Sequence, residues 1–235
     1  MALRRQSFEI DEWYHCYNRG IDKRATFKYG HDYERFLQLL YLCNAKEPVH
    51  RSNLTARTTK EVMNVPRQAE IVSIGAYCLM PNHFHLLVKE KTIGGITAFM
   101  QRLGTAYTMY FNIKHGRIGN LFYKPFRSRH VIDDRYFQRV VEYLHCNPAE
   151  LFEVNWKQGV VKDMQALEKR ISSYRYSSFS DYHEEKPRSE RVILSPEGFE
   201  IANVRPLRQM LGEARAYYAD IAIDEATSKT IKASP

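Results

Sequence analysis

Two histidines in the sequence are spaced so that they could hold a metal ion. His83 and His85 are two residues apart, and side chains at that interval leave the same face of a strand. Neutral imidazole is the commonest metal ligand among protein side chains, so the pair predicts a divalent-metal site that needs one more ligand. Two ordinary surface histidines would give the same pattern.

A tyrosine and an asparagine further along the chain could supply a nucleophile and that ligand. Tyr143 and Asn147 are four residues apart and share one face of a predicted helix. Pro148 disfavours helical geometry at Asn147, so we expect Asn147 to end the helix with its amide oxygen free for a metal. A core-edge tyrosine with an asparagine cap is the structural alternative. The neighbouring apolar stripe that should seat the helix consists of Phe137, Val140, Val141 and Leu144.

Cationic and aromatic side chains alternate between residues 114 and 132, where no acidic residue occurs. Cations bind phosphates and aromatic rings stack on unpaired bases, so the segment predicts a surface for single-stranded nucleic acid. A solvated loop whose aromatic residues belong to the core is the alternative. The predicted contact residues, including three from an earlier turn, are Arg19, Lys23, Arg24, Lys114, Arg117, Phe122, Tyr123, Lys124, Arg127 and Arg129.

The elements that must position these residues follow from the apolar periodicity of the sequence. The order of strands and helices predicts an α+β fold, an antiparallel sheet with helices packed on one face. The last helix should begin at Asp133 and Asp134 and end before Pro148. The other predicted elements are strands at 12–17, 71–80, 83–90 and 126–132, and helices at 32–46 and 93–114.

The periodicity also divides the chain into a core and an appendage. We assign residues 1–150 to the core and residues 151–235 to a C-terminal accessory segment with a helix near 207–221. Residues 47–69 contain prolines and polar groups without an apolar period, which predicts a long, mobile connection.

Composition narrows the class of protein. The 235 residues include 35 Lys and Arg against 27 Asp and Glu, a net charge of +8 that favours a polyanionic partner. The first residues lack the apolar stretch of a signal peptide, and no long apolar run occurs, so we expect a cytoplasmic protein with no membrane partner. Four widely spaced cysteines should be reduced and mostly buried. No phosphate-binding loop or dinucleotide fingerprint is present, so we expect no nucleotide cofactor.

Three motifs together resemble the REP-associated tyrosine transposases. They are Tyr77-Cys-Leu-Met-Pro-Asn-His-Phe-His-Leu-Leu-Val88, Tyr143-Leu-His-Cys-Asn-Pro148 and Asn18-Arg-Gly-Ile-Asp22. That family belongs to the single-tyrosine HUH transposases, relatives of the enzymes of the smallest bacterial insertion sequences. The resemblance covers roughly residues 10–182.

The resemblance implies a ferredoxin/RRM-like HUH core of order β-α-β-β-α-β-α. It implies that His83 and His85 are the HUH histidines, that Tyr143 is the nucleophile, and that Asn147 is the third ligand, where relatives often carry Gln. The expected cofactor is Mg²⁺ or Mn²⁺. The expected reaction cleaves and rejoins single-stranded DNA through a 5′-phosphotyrosine, at REP-type hairpins or insertion-sequence ends, with nucleoid association when bound to DNA. A monomer and a homodimer are both compatible with it.

Two other functions fit parts of the same sequence. An RRM-like module could bind single-stranded nucleic acid without catalysis, and would need neither a metal nor Tyr143. A zinc hydrolase could use His83 and His85 with a carboxylate base, although no third ligand has convincing zinc spacing. A covalent protein–DNA adduct is expected only of the transposase.

Overall fold

The structure is a computed structural model that describes residues 7–47 and 49–233, with the side chains of residues 221–233 left out. The predictions made for residues 1–6, for Pro48 and for the last two residues of the accessory segment therefore lie outside the described residues.

One antiparallel sheet, formed by four strands in the described part of the chain, has the order β2-β3-β1-β4. The strands are β1 (Trp13–Arg19), β2 (Val72–Met80), β3 (His83–Glu90) and β4 (Arg127–Val131). Strand β1 runs through the predicted turn because Asn18 and Arg19 pair with Phe84 and His83 of β3, a distant partner that local sequence does not reveal. The antiparallel α+β prediction is confirmed.

Helices of very different length connect and follow the strands. They are α1 (Gly30–Leu42), α2 (Thr59–Met63), α3 (Gly95–His115), α4 (Asp134–Cys146), α5 (Met164–Ser172), α6 (Phe179–His183), α7 (Pro196–Ile201) and α8 (Leu207–Ala233). Helix α3, predicted at 93–114, stops at Gly116, whose φ of 58° is left-handed. The predicted start of α4 is also confirmed, because the Asp133 carboxylate accepts a hydrogen bond from the Tyr136 amide at 2.7 Å.

Helices cover both faces of the sheet, and the prediction that they pack on one face is wrong. On one face, the ring centroid of Phe36 in α1 lies 4.8 Å from that of Phe84 in β3. On the other, Phe137 of α4 packs 4.9 Å from Trp13 of β1. Strand β2 is buried along its whole length because both of its faces are covered. We call the face under α4 and α8 the α4 face.

Residues 47–69 are folded against the core, contrary to the prediction of a mobile connection. Their described part contains a 3-10 turn at Arg51–Asn53 and the helix α2, whose capping box joins Thr58 and Glu61. Val62 and Met63 are buried. Two adjacent apolar residues are too few to show a helical period, so this contact could not be predicted from the sequence pattern.

Residues beyond 150 contribute side chains to both halves of the core, including Trp156, Ile171 and Ile193. They also cover the outer edge of β2, where the Leu79 amide donates to the Tyr176 carbonyl and the Ser178 amide donates to the Tyr77 carbonyl, both at 2.9 Å. The division at residue 150 stays a prediction.

Two sequence expectations concern the chain as a whole. The four cysteines are free and buried, as predicted. Within the described residues, no helix combines the length and the apolar character needed to cross a membrane.

Candidate active site

His83 and His85 project from β3 onto the α4 face, with their ring centroids 5.0 Å apart. The Nδ1 atom of His83 lies 2.6 Å from Asn82 Oδ1, and that of His85 lies 2.9 Å from His15 Nε2. Among the described residues, neither Nε2 atom has a hydrogen-bond partner. The two Nε2 atoms are therefore the ones that could bind a metal ion.

Both imidazoles are neutral at physiological pH. Burial, together with the charge of Arg19, lowers the pKa of His83 to about 4. Burial and the neighbouring His83 lower the pKa of His85 well below its ordinary value. Neutral imidazole is the form that binds metals. Neither is an ordinary surface histidine, because His83 is only partly exposed and His85 is 5% exposed beneath α4 and α8.

Helix α4 brings Tyr143 against these histidines. Its ring centroid lies 5.4 Å from that of His85 and 5.8 Å from that of His15. The tyrosine is 5% exposed, and the stripe predicted to seat α4 is buried beside it. Burial raises the pKa of Tyr143, while the adjacent Asn147 amide counteracts part of the shift without forming a full hydrogen bond. The phenol is therefore protonated in this conformation.

Asn147 lies one turn beyond Tyr143, as expected, but its backbone is helical. As predicted, α4 ends before Pro148 with Asn147 as its C-cap, but the Asn147 φ of −55° and ψ of −37° remain helical and lead into a 3-10 turn at Asn147–Leu151. Proline disfavours helical geometry in the preceding residue without forbidding it. The side chain is buried and its Nδ2 atom has no hydrogen-bond partner among the described residues. A rotation of the side-chain amide by 180° exchanges the positions of its nitrogen and oxygen. Asn147 could therefore turn its oxygen toward a ligand.

The C-terminal helix α8 covers Tyr143. The Tyr217 ring lies 4.9 Å from the Tyr143 ring, and the Tyr217 hydroxyl lies 3.0 Å from His15 Nδ1. An ion pair between Arg139 of α4 and Asp220 of α8, at 2.9 Å, fastens the two helices together. The candidate nucleophile therefore lies beneath a helix that the sequence placed only in an accessory segment.

Several residues of the site were missed from the sequence. His15 and Tyr17 share the i, i+2 spacing of His83 and His85, and this signal was available in β1. What was missing was the register, which sets Tyr17 opposite His85. Tyr217 and Lys157 come from beyond residue 150, and nothing local in the sequence indicates that they reach the site.

Some of the predicted DNA-contact residues lie on the α4 face with the histidines. In the strand register, Arg19 is opposite His83, Arg129 opposite His15, and Arg127 opposite Tyr17, so all three cations share that face. Arg129 also lies over the Tyr217 ring, 5.8 Å from its centroid. The sheet thus places positive charge beside the candidate nucleophile.

Other predicted contacts lie elsewhere. Lys114 bonds at 2.5 Å to the buried carboxylate of Asp32, on the side of the sheet where α1 and α3 pack. Arg117 bonds to Asn112 at the end of α3. Phe122 is 5% exposed and belongs to the core, so its assignment as a base-stacking residue is wrong.

The remaining predicted contacts surround the turn after β1. Arg24 is paired with Asp22, and the Tyr123 hydroxyl accepts a hydrogen bond from the Asp22 amide. Lys23 and Lys124 are exposed.

The zinc-hydrolase alternative finds no support in the described residues. In that part of the chain, no three His, Cys, Asp or Glu side chains come together in a group that could hold a metal ion. This absence concerns only His, Cys, Asp and Glu side chains. It does not exclude a metal site formed by two histidines and the Asn147 amide.

Comparison with known proteins shows one family and one solved structure to which this chain is similar. Residues 33–147 match the family model described as "Transposase IS200 like", and this range includes His83, His85, Tyr143 and Asn147. The fold is similar to the solved structure of a REP-associated tyrosine transposase bound to a REP hairpin, with a TM-score of 0.50, 13% identity, and coverage of 88% of this chain and 93% of that chain. No curated protein matches the sequence. Over residues 33–147, just under half of the chain, the sequence is therefore similar to the IS200-like transposases.

Proposed function

We propose that this protein cleaves and rejoins single-stranded DNA through a covalent 5′-phosphotyrosine at Tyr143, with Mg²⁺ or Mn²⁺ held by His83, His85 and Asn147. The observation that carries the proposal is the packing of the Tyr143 ring 5.4 Å from the His85 ring, although the two residues are far apart in sequence. A tyrosine against a pair of neutral histidines unites a nucleophile with potential metal ligands.

The side chains fit a divalent metal ion. His83 and His85 are neutral and each has an unengaged Nε2 atom, and Asn147 has a buried amide without a full hydrogen bond. A bound divalent ion would polarise the scissile phosphate and offset the negative charge that develops during attack. Nitrogen ligands are less typical of Mg²⁺ than oxygen ligands, so phosphate oxygens of the DNA would have to supply much of the coordination.

The covalent step conserves the phosphodiester. Tyr143 Oη attacks the phosphorus, the P–O3′ bond breaks, the phenol proton leaves to solvent or a nearby base, and the freed 3′ oxygen takes up a proton. In the second step a 3′ hydroxyl attacks the phosphotyrosine and releases Tyr143. Because one phosphate ester replaces another, rejoining needs no nucleotide cofactor.

The DNA surface proposed here is smaller than the one expected from the sequence. Arg19, Arg127 and Arg129 share the α4 face with the histidines and could bind phosphates close to the scissile bond. The similar solved structure holds a REP hairpin, and by that analogy we propose a single strand with hairpin structure as the substrate.

Access to Tyr143 requires a change of conformation. The side chain is 5% exposed, and Tyr217 of α8 packs directly on it. A phosphodiester needs room to approach Tyr143 Oη in line, so we propose that α8 shifts when DNA binds. The departure of α8 would also return the phenol to a more polar environment, where its ionisation costs less.

The proposal is tested with labelled single-stranded DNA taken from the flanks of the protein's own gene. Incubation with Mg²⁺ or Mn²⁺ should give a covalent adduct that survives denaturation, and mass spectrometry should find the nucleotide on Tyr143. Tyr143→Phe keeps the ring and its packing but removes the attacking oxygen, so the adduct should vanish while DNA binding persists.

Tyr107→Phe is the matched control, because it removes a buried tyrosine hydroxyl, which donates to the Thr26 carbonyl, on the side of the sheet away from the histidines. This variant should still form the adduct. A nucleotide on another residue, or an active Tyr143→Phe protein, would contradict the mechanism. Binding of DNA without any adduct under all metal conditions would instead support the non-catalytic module.

A further inference from the structure

We propose that His15 is a positioning residue that directs the Nε2 atom of His85 toward the metal ion. The inference depends on the metal site of the proposed function. It concerns a residue outside the metal ligands, and it makes predictions that metal binding and spectroscopy can test without DNA cleavage.

The contact between the two histidines is buried and built into the sheet. His15 Nε2 lies 2.9 Å from His85 Nδ1, and the rings are stacked 5.1 Å apart. His15 is fully buried, on β1, and His85 is on the adjacent strand β3. Because both belong to the same sheet, their contact does not depend on the position of α8.

The proton arrangement decides which nitrogen of His85 can bind a metal. A neutral imidazole carries a single proton, so a metal on Nε2 requires the proton to be on Nδ1. That proton is then donated to His15 Nε2, which must be the acceptor. Without an acceptor at this position, the His85 Nδ1 proton would be buried and unpaired, at a cost of about 1–3 kcal/mol.

The other nitrogen of His15 is engaged as well. When Nε2 is the acceptor, the His15 proton is on Nδ1, and the Tyr217 hydroxyl at 3.0 Å can accept it. The Tyr217 hydroxyl keeps its own proton in this arrangement, because it acts toward His15 only as an acceptor. Tyr217, His15 and His85 therefore form a continuous hydrogen-bonded chain.

The same chain can run in the opposite direction. If Tyr217 donates to His15 and His15 Nε2–H donates to His85 Nδ1, the His85 proton is on Nε2 and no lone pair is left there for a metal. Only one of the two directions is compatible with a metal on His85 Nε2, and His15 must accept in that direction. Residues that hold a metal-bound histidine in this way typically contribute 10–100-fold to metal affinity.

The experiment compares three replacements of His15 by Mn²⁺ titration calorimetry without DNA. In His15→Gln the side-chain amide reaches the place of Nε2 and can accept from His85, so the Mn²⁺ affinity should stay within about threefold of wild type. His15→Asn is too short to reach, and His15→Leu has no acceptor, so both should bind Mn²⁺ about 10–100-fold more weakly. Tyr182→Phe, which removes a buried hydroxyl that donates to the Gly75 carbonyl, is the control for a lost hydrogen bond elsewhere.

A second measurement reads the tautomer directly. Long-range ¹H–¹⁵N spectra of histidine-labelled protein with saturating Mg²⁺ should show the His85 proton on Nδ1 in the wild type and in His15→Gln. Equal Mn²⁺ affinity in His15→Leu and wild type, or a His85 proton on Nε2 with Mg²⁺ bound, would overturn the role of His15. Absence of Mn²⁺ binding in the wild type, or binding that His83→Ala does not change, would show instead that the proposed metal site itself is wrong, and the inference would fail with it.

Discussion

Buried neutral histidines make the stability of this protein depend on pH. Burial, together with the charge of Arg129, lowers the pKa of His15 from 6.5 to about 3, and the pKa of His83 is lowered to about 4. Below pH 6.5 the unfolded chain therefore binds protons that the native protein excludes. The contribution of these histidines to the free energy of unfolding is therefore fully present above that pH and falls as the solution becomes more acidic.

The pH dependence gives a prediction for His15→Gln. Each excluded proton contributes up to about 1.4 kcal/mol per pH unit to the slope of the unfolding free energy. Removing the His15 imidazole should reduce that slope between pH 6.5 and pH 5 by nearly the amount that one excluded proton contributes. Urea unfolding at a series of pH values measures the slope. An identical slope in the variant and the wild type would mean that His15 is protonated in the native state.

The positions of the arginines on the sheet give a second prediction. Replacing Arg127 and Arg129 by Ala should weaken binding of single-stranded DNA and reduce the slope of log affinity against log salt by about 0.7 for each lost phosphate contact. Arg117→Ala is the matched control, since this cation lies at the end of α3 and bonds to Asn112. DNA titrations at several salt concentrations decide between the α4 face and the end of α3 as the DNA-binding surface. A change of slope in the control alone would show that the DNA binds on the α3 side.

At the level of single residues, the sequence revealed the two spaced pairs of the candidate site but not their surroundings. The spacing of His83 and His85, and of Tyr143 and Asn147, follows from the geometry of one strand and one helix. Their burial depends on distant parts of the chain, and the contact of His85 with His15 depends on strand register across a separation of 70 positions. Local periodicity carries no information about either.

The elements were predictable where a long apolar period exists. Helices α3 and α4 lie where the spacing placed them, and β3 has the predicted bounds. The five-residue helix α2 is too short to show a period, and the two-sided covering of the sheet requires knowledge of which helices are neighbours. Sequence periodicity therefore predicted the elements better than their layers.

The contact between α7 and the edge strand gives a prediction about two glycines. A Cβ atom on Gly198 would lie 2.9 Å from the Gly75 Cα atom, in the irregular stretch of β2, so Gly198→Ala must push α7 away from the sheet. We expect a destabilisation of about 1–3 kcal/mol, the usual cost of overpacking. Thermal and urea unfolding measure it.

Gly104→Ala is the opposite case within α3. A Cβ atom there meets nothing within 4 Å, so the substitution should stabilise the helix by about 0.5–1 kcal/mol. If Gly198→Ala and Gly104→Ala were destabilised equally, the close approach of α7 to β2 would not be the cause of the Gly198→Ala destabilisation.

For the whole molecule, the seating of α8 on α4 opposes access to Tyr143. Arg139 holds α8 through Asp220 at 2.9 Å and Glu213 at 3.9 Å. The double variant Asp220→Asn, Glu213→Gln should loosen this seating and speed adduct formation at saturating DNA. A time course of the adduct measures the rate.

The control for this prediction is Glu197→Gln, which weakens an ion pair with Lys89 on the sheet and leaves α8 alone. This variant should keep the wild-type rate. An unchanged rate in the double variant would show that the departure of α8 does not limit the reaction.

The covered edge of β2 has a consequence for the behaviour of shortened chains. An open strand edge offers unpaired amides and carbonyls to any other extended chain and promotes aggregation. Here the Tyr77 carbonyl and the Leu79 amide are taken by residues 176–178, and the Ile74 carbonyl by the Ser195 amide. A chain cut after residue 150 would expose this edge of β2, a strand that is buried along its whole length in the intact protein. We expect such fragments to associate edge to edge in a concentration-dependent manner, so that the C-terminal residues protect the protein from its own copies.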